Sequence, residues 1–587
     1  MPGLIGQHLP VVFVQNPPLG SSTLVFDSVG DLKIKRNDGS IDSVISIDPN
    51  QIMFGSTTSN PTSSNILTLD VDNYILQFGA SHSIQNTSTA SVILGGGFSS
   101  VINNSQASSV LGGRCQVINE TDDAAIVGGA YNTIYRSLLA STLGGGCNTI
   151  SDSFSSTING GLNNTINCSE RASIIGGYCN SIEYFNEQPV IIAGSRNIIS
   201  CYSDNTSIIG GGCNEVRYYS RNSSIIGGYY NILSYYSYNS SIVSGFCNIL
   251  SCNSRYSSII SGLCNTLSNS RYSSMMGGRY NTLSNSSCSS IIGGYCNILC
   301  NSSNYSSIMG GSQNTSCNSP KSSIVGGGSN NLSNSTCSSI IGGSTNTLSC
   351  NSNDSSIMGG CGNILSCNSN NSSIVGGNSN TLSNNSCNSS IVGGNSNALS
   401  CNSNDSSIIG GCENTLSYYS CNSSIIGGGF NTLTDYSCSS SIIGGQNNTL
   451  TGTSSLSSII SGFRNTLSNK SYNSSIIGGR CNTLSYYSCY SSIIGGNVNT
   501  LSGTSSASSI VGGCCNALCS NSCNSVIIGG NNLSLVNQCN TALTQHLWIA
   551  GSVSPNNGTN FGQTQDVFVS GFGTFSFVNG ILTNVIV

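Results

Sequence analysis

Cysteine is the residue type here with the most chemistry to offer. There are 29 Cys but only three His, and 16 Lys and Arg stand among 21 Asp and Glu. Cys247 and Cys264 lie 17 residues apart, as do Cys350 and Cys367. In a chain that coils with that period each pair shares a column on adjacent coils ~4.8 Å apart, inside disulfide range. These four are candidate axial disulfides. Cysteine as a small filler is the equal alternative, since the odd total and the irregular columns force no pairing. No C-x-x-C spacing occurs in the repeats, so no metal site and no cofactor are expected.

Acid–base chemistry has less to draw on. His8, His82 and His546 all fall outside the main array described below, which leaves it without a histidine base. Asp354 and Asp405 occupy like columns but three repeats apart, ~14 Å at strand spacing, too far to act together. The recurrent Gly-Gly pairs lack the Lys-Ser/Thr and the helix of a phosphate loop. The chain is therefore expected not to be an enzyme. Asn-x-Ser/Thr sequons such as Asn222-Ser223-Ser224 arise unavoidably in a chain built of Asn and Ser and carry little weight.

What would position any of these residues is a repeat. The second glycine of each S-I-I-G-G-like run recurs 27 times from Gly96 to Gly530, always 16 or 17 residues after the last, and a degenerate copy stands at Phe78-Gly79. The unit reads S-S-I-I-G-G-x-x-N-T-L-S plus four or five polar residues, as in Ser223 to Ser234. Glycine pairs at this interval and β-branched residues at the ordered positions exclude helix and give two short strands per unit. So short a unit cannot bury an apolar face alone, so copies must stack.

The expected fold is all-β: a parallel β-solenoid (β-roll) shaft of about 27 rungs over residues 79–533, on the order of 130 Å long at strand spacing. Residues 1–78 read as an N-terminal β cap or anchoring segment, and 534–587 as a C-terminal β cap or tip. In the tip, strands at Val567 to Ser570, Thr574 to Val578 and Ile581 to Val587 are expected, the last two joined by an Asn579-Gly580 hairpin turn.

An Asn follows three residues after the ruler glycine in 24 of the 27 rungs. It includes Asn132, Asn148, Asn164, Asn180, Asn231, Asn248, Asn265, Asn431, Asn482 and Asn499, and is expected to be a structural column whose side-chain amides bond along the axis. Leu or Ile two residues later should point inward. The paired aliphatics, as in Ile225-Ile226, must point to opposite faces of a pleated strand, so one of each pair needs a second partner. A stripe of ~27 exposed aliphatic residues exceeds what a soluble monomer shows, and the expectation is a parallel homotrimeric fibre. The steps of 16 and 17 differ only in the polar corner after N-T-L-S, where an extra residue changes little.

Composition agrees. Only 6% of the 587 residues are charged against roughly 25% in a typical protein. No run of about 18 apolar residues exists, so no membrane insertion is expected. A net charge of −5 without a basic cluster gives no footprint for nucleic acid.

The stretch Asn222-Ser223-Ser224-Ile225-Ile226-Gly227 resembles the N-S-x-A-I-G repeat of trimeric autotransporter adhesin heads, which are parallel β-rolls assembled as trimers. The resemblance covers about residues 79 to 533 and departs from the family's period of 14, its single Gly and its later Ser. The S-S-I-I-G-G-x-x-N-T-L form, with a tail like Gly571 to Gly580, is more similar to fibre proteins of tailed phages and large DNA viruses. That resemblance implies a virion surface or extracellular location, an anchoring protein of the particle at one end and a host receptor or glycan at the other. Met1-Pro2-Gly3 shows no secretory signal. Alternatives from the same sequence are an ice-binding solenoid, using the outward Thr and Ser of N-T-L-S, a bacterial-type surface adhesin or filament, and a glycan-processing tailspike.

Overall fold

The computed structural model describes residues 75–78, 82–85, 87–95 and 101–545. It also gives the backbone of strands Ser22–Phe26, Leu32–Arg36, Ile41–Ser43, Gln51–Met53, Ile66–Asp70, Gln565–Val569, Gly573–Val578 and Ile581–Ile586. No helix occurs among the described residues. The chain forms two compact units, residues 1–261 and 262–587.

In the first unit the coil that starts at Ser223 shows how the repeat becomes structure. Ser224–Ile226 pairs in parallel with Ser241–Val243 of the next coil, Ile225 opposite Ile242. Ile232–Ser234 likewise pairs with Ile249–Ser251, Leu233 opposite Leu250. Two parallel ladders thus run along the stack, with a third line of single-residue bridges such as Tyr229 to Phe246. A three-residue strand sends its middle side chain one way and its ends the other. Ile225 and Leu233 are fully buried, whereas Ile226 is 41% exposed.

The second unit repeats this plan. Ser424–Ile426 pairs with Ser441–Ile443 and Thr432–Leu433 with Thr449–Leu450, burying Ile425 and Leu433. Both units are therefore parallel β-solenoids, as the period requires. The first ladder begins in the degenerate copy: Ile75–Phe78 lies parallel to Val92–Leu94 and antiparallel to Ile66–Asp70. At the other end Ala542–Thr544 pairs with Val526–Ile528. The backbone strands Gly573–Val578 and Ile581–Ile586 pair antiparallel, with Val578 opposite Ile581, and so flank the expected Asn579-Gly580 turn, which itself lies outside the described residues. Ruler glycine Gly96 and histidines His8 and His546 also lie outside them.

Two aliphatic side chains per coil make a thin core, and the rest of the interior is polar. Ser223, Asn231, Ser237 and Ser240 are all buried. At the turns many N–H groups still meet a carbonyl of an adjacent coil, as Gly227 does that of Ile209, but those of the buried Ser240 and Asn248 find side chains instead, and a buried N–H without an acceptor is costly. The buried side chains supply the acceptor: Ser223 Oγ takes the N–H of Ser240 (3.1 Å) and Asn231 Oδ1 that of Asn248 (3.0 Å).

The Gly-Gly pair makes the turn between the strands. Both residues have positive φ, +67° and +78° at Gly427 and Gly428. Their demands differ. A Cβ on Gly427 would meet nothing within 4 Å, but one on Gly428 would collide with the Gly445 carbonyl oxygen and Asn431 Nδ2. Ala193, Ser244, Ser261 and Ser461 accordingly stand at the first position, while the second is always glycine.

The one-residue difference between steps lies in the corner. Gly245 to Gly262 spans 17 residues and has two left-handed residues, Cys252 and Asn253, before the buried Ser254. Gly262 to Gly278 spans 16 and has one, Asn269, before Ser270. Either way the buried hydroxyl reaches back to the strand end: Ser254 donates to the Ser251 carbonyl at 2.7 Å and Ser270 to that of Ser268 at 2.9 Å. Deleting Asn385 from the Asn384-Asn385 corner should therefore leave the fold intact, costing about 1 kcal/mol or less. Thermal unfolding followed by circular dichroism checks this, a shift beyond a few degrees being contrary.

Candidate functional site: surface columns of the solenoid

A residue type repeated once per coil becomes a column, so the candidate sites are columns rather than pockets. The most continuous is the outward aliphatic of the first ladder. In the second unit Ile409, Ile426 and Ile443 stack in register at 43%, 39% and 39% exposure, and Ile477 and Ile494 continue the line. In the first unit Ile209, Ile226 and Ile260 do the same, with Asn159 as a polar break.

The Asn column lies inside the coil. Asn132, Asn148, Asn164, Asn180, Asn231 and Asn248 in the first unit, and Asn265, Asn431, Asn482 and Asn499 in the second, are all fully buried. Their bonding differs from an amide-to-amide ladder. Asn431 Nδ2 donates to the carbonyls of Gly444 and Gly445 (3.4 and 3.2 Å), and its Oδ1 accepts the Asn448 N–H at 3.0 Å. Each amide is thus bound to the backbone of the next coil. Gln116 plays the same part at the start, accepting the Asn132 N–H at 2.9 Å. At the end Leu533 donates its N–H to Asn516 Oδ1 at 3.0 Å and offers no side-chain acceptor in return.

Of the cysteine candidates, Cys350 and Cys367 hold the same left-handed corner position on successive coils and remain thiols. Cys247 belongs to the first unit and Cys264 to the second. The axial disulfide instead joins Cys300 and Cys317, with Cα atoms 4.7 Å apart. These replace the Ser of T-L-S on paired strands Ile298–Cys300 and Thr315–Cys317. Their shared offset from the ruler glycines was the available signal, in a column that the corner and turn cysteines overshadow. Among the thiols, burial and then the Asp152 carboxylate push Cys168 up, while hydroxyl donors on Ser344 and Thr345 draw Cys361 down.

Asp354 and Asp405 sit at equivalent left-handed corners, three coils apart. His82 precedes strand Ser83–Gln85, which pairs in parallel with Val101–Asn103, so this histidine lies within the stack and not outside it as expected; burial holds its imidazole below the ordinary value. Among the described residues no group of three or more His, Cys, Asp or Glu could hold a metal ion.

Sequence reasoning missed an aromatic column in the first unit. Phe185, Tyr202, Tyr219 and Tyr236 stack face to face on successive 17-residue coils, with ring centroids 5.6, 5.0 and 5.2 Å apart. Tyr218 and Tyr235 stack beside them at 4.6 Å. Rings spaced by the strand separation fall naturally into parallel stacking.

These features define a repeat protein of the parallel β-solenoid class. No protein-family model matches the chain, and no curated protein matches it.

Proposed function

We propose that the chain is a non-enzymatic structural fibre protein whose copies pack side by side along the outward aliphatic column, as a parallel homotrimer. The observation that carries this reading is the in-register line through Ile409, Ile426 and Ile443, each about two-fifths exposed. Singly exposed aliphatic residues are ordinary; an unbroken line of them is a surface that another apolar surface covers. A parallel arrangement about a common axis brings identical columns together and closes the assembly. The biological setting we infer is a surface fibre of a virus particle, anchored to the particle at one end and contacting its host.

Ice binding has one observation in its favour, the outward Thr line from Thr415 through Thr432, Thr449, Thr466 and Thr483 to Thr500. In the first unit the same position holds Ile198, Glu215, Ile232 and Ile249, which breaks the hydroxyl array.

Light scattering on the purified full chain tests the fibre reading. The expected mass is three times that of one chain, and Ile409→Lys, Ile426→Lys and Ile443→Lys combined should lower it. A monodisperse monomer of the unaltered chain would overturn it.

A further inference from the structure

In the first unit the change of step creates a recess. Every coil from Gly113 to Gly177 has 16 residues, and from Gly177 onward the coils of this unit have 17. The added residue is the second left-handed corner residue, and its first instance is Phe185, beside Tyr184. The preceding corner has only Cys168 at this level. Phe185 therefore begins the aromatic column: Tyr202 covers one face of its ring, and among the described residues no ring covers the other. It is 61% exposed, against 41% for Tyr202.

Beside that face lies a cleft of about 460 Å³, within the range of small-ligand sites. Phe154, Phe185 and Tyr202 give it apolar walls, and Asp152, Glu170, Glu187 and Asp204 a carboxylate rim. Three of these acids already hold a guanidinium: Asp152 with Arg136 (3.3 Å), Glu187 with Arg171 (2.7 Å) and Asp204 with Arg221 (3.0 Å). Glu170 forms no ion pair among the described residues, and its backbone pairs with Phe154 of the coil before and Glu187 of the coil after, in one column.

We propose that this cleft binds a neutral pyranose of a surface glycan. A pyranose has one apolar C–H face, which matches the open ring of Phe185, and a girdle of hydroxyls that both donate and accept. Glu170 can accept from two adjacent hydroxyls, and the neighbouring Arg–carboxylate pairs present planar donors and acceptors together. The four rim carboxylates outnumber the three guanidiniums, one of which, Arg136, is shared with Glu120 at 4.0 Å, so the rim is net negative and disfavours sialylated, uronic or sulfated sugars. A simple cation is a poorer match, because most of the carboxylates are already neutralised and the walls are aromatic. The proposal deepens the attachment reading by naming a ligand class, and does not depend on how many chains assemble.

Saturation-transfer NMR on the full chain tests it. The probes are glucose, galactose, mannose and N-acetylglucosamine with their short oligomers, and N-acetylneuraminic acid as the acidic arm. We expect transfer from aromatic protons to at least one neutral sugar and none to the acidic one. Phe185→Ala and Glu170→Gln should each weaken binding about tenfold, while Tyr487→Ala, at a corner of the second unit, leaves it unchanged. Should Phe185→Ala melt early by circular dichroism, Glu170→Gln decides alone. No transfer to any neutral sugar at millimolar concentration, equal binding of the acidic probe, or binding that survives Glu170→Gln would each overturn the proposal. Light scattering of the same sample reports the copy number separately, so a trimer that binds no sugar removes the cleft and spares the fibre.

Discussion

Gly428→Ala will open the coil around it, whereas Gly427→Ala, one residue earlier, will cost much less and leave the coil closed. Both positions have positive φ, so the backbone penalty of a Cβ, about 1–2 kcal/mol, is common to the two. At Gly427 that penalty is all there is, because the space is empty. At Gly428 the new carbon lands against the Gly445 carbonyl and the Asn431 amide and lies 2.9 Å from the Gly444 carbonyl carbon. Backbone of the next coil cannot swing aside without breaking its ladder, so the total should reach about 4 kcal/mol or more. A stacked-repeat protein loses stability locally, and the effect belongs to the coils on either side. Hydrogen exchange read by mass spectrometry should show protection lost in peptides spanning residues 424–450 for Gly428→Ala alone. Equal protection in the two variants would show that the collision is relieved by backbone movement.

Asn431→Asp will behave as a pH-dependent lesion. The substitution keeps shape but replaces the donor that faces the carbonyls of Gly444 and Gly445 with an oxygen. Once ionised, that oxygen is a buried charge opposite two carbonyl dipoles, and its folded-state pKa must rise above the ordinary carboxylate range. The folded form then holds its proton where the unfolded form has lost it, so stability is retained below the ordinary range and falls as pH rises through and above it. Thermal unfolding should find the variant close to the unaltered chain near pH 3 and lower by several degrees near pH 7. Asn431→Ala leaves the Asn448 N–H without its acceptor at either pH, a cost of roughly 1–3 kcal/mol, while the Gly445 carbonyl keeps the Gly429 N–H. A flat pH profile for Asn431→Asp would mean that water reaches the site.

The contrast between these two lesions marks what could be read from residues alone. The opposite faces of Ile225 and Ile226 and the inward Leu233 follow from strand alternation, which needs no coordinates. So does the location of the 16-or-17 difference after Gly113, since from there on only the corner varies in length. The buried state of Asn231 was legible and its partner was not. Whether a stacked amide meets the amide above it or the backbone depends on the rotation of the turn, which the two left-handed glycines set. The Cys300–Cys317 bridge was missed because a column must be compared at every offset, and the T-L-S serine was read only as an outward hydroxyl. The Phe185 recess arises from the juxtaposition of a length change with an aromatic residue; neither alone signals a cavity.

Within each unit the buried amides reach the same way, each holding the backbone that follows it, as Gln116 holds Asn132 in the first and Asn516 holds Leu533 in the second. Tandem duplication or loss of one whole block leaves every such contact with a partner of the same kind. Unequal crossing-over between near-identical blocks can therefore lengthen or shorten the gene product by discrete increments, with folding indifferent to the tally.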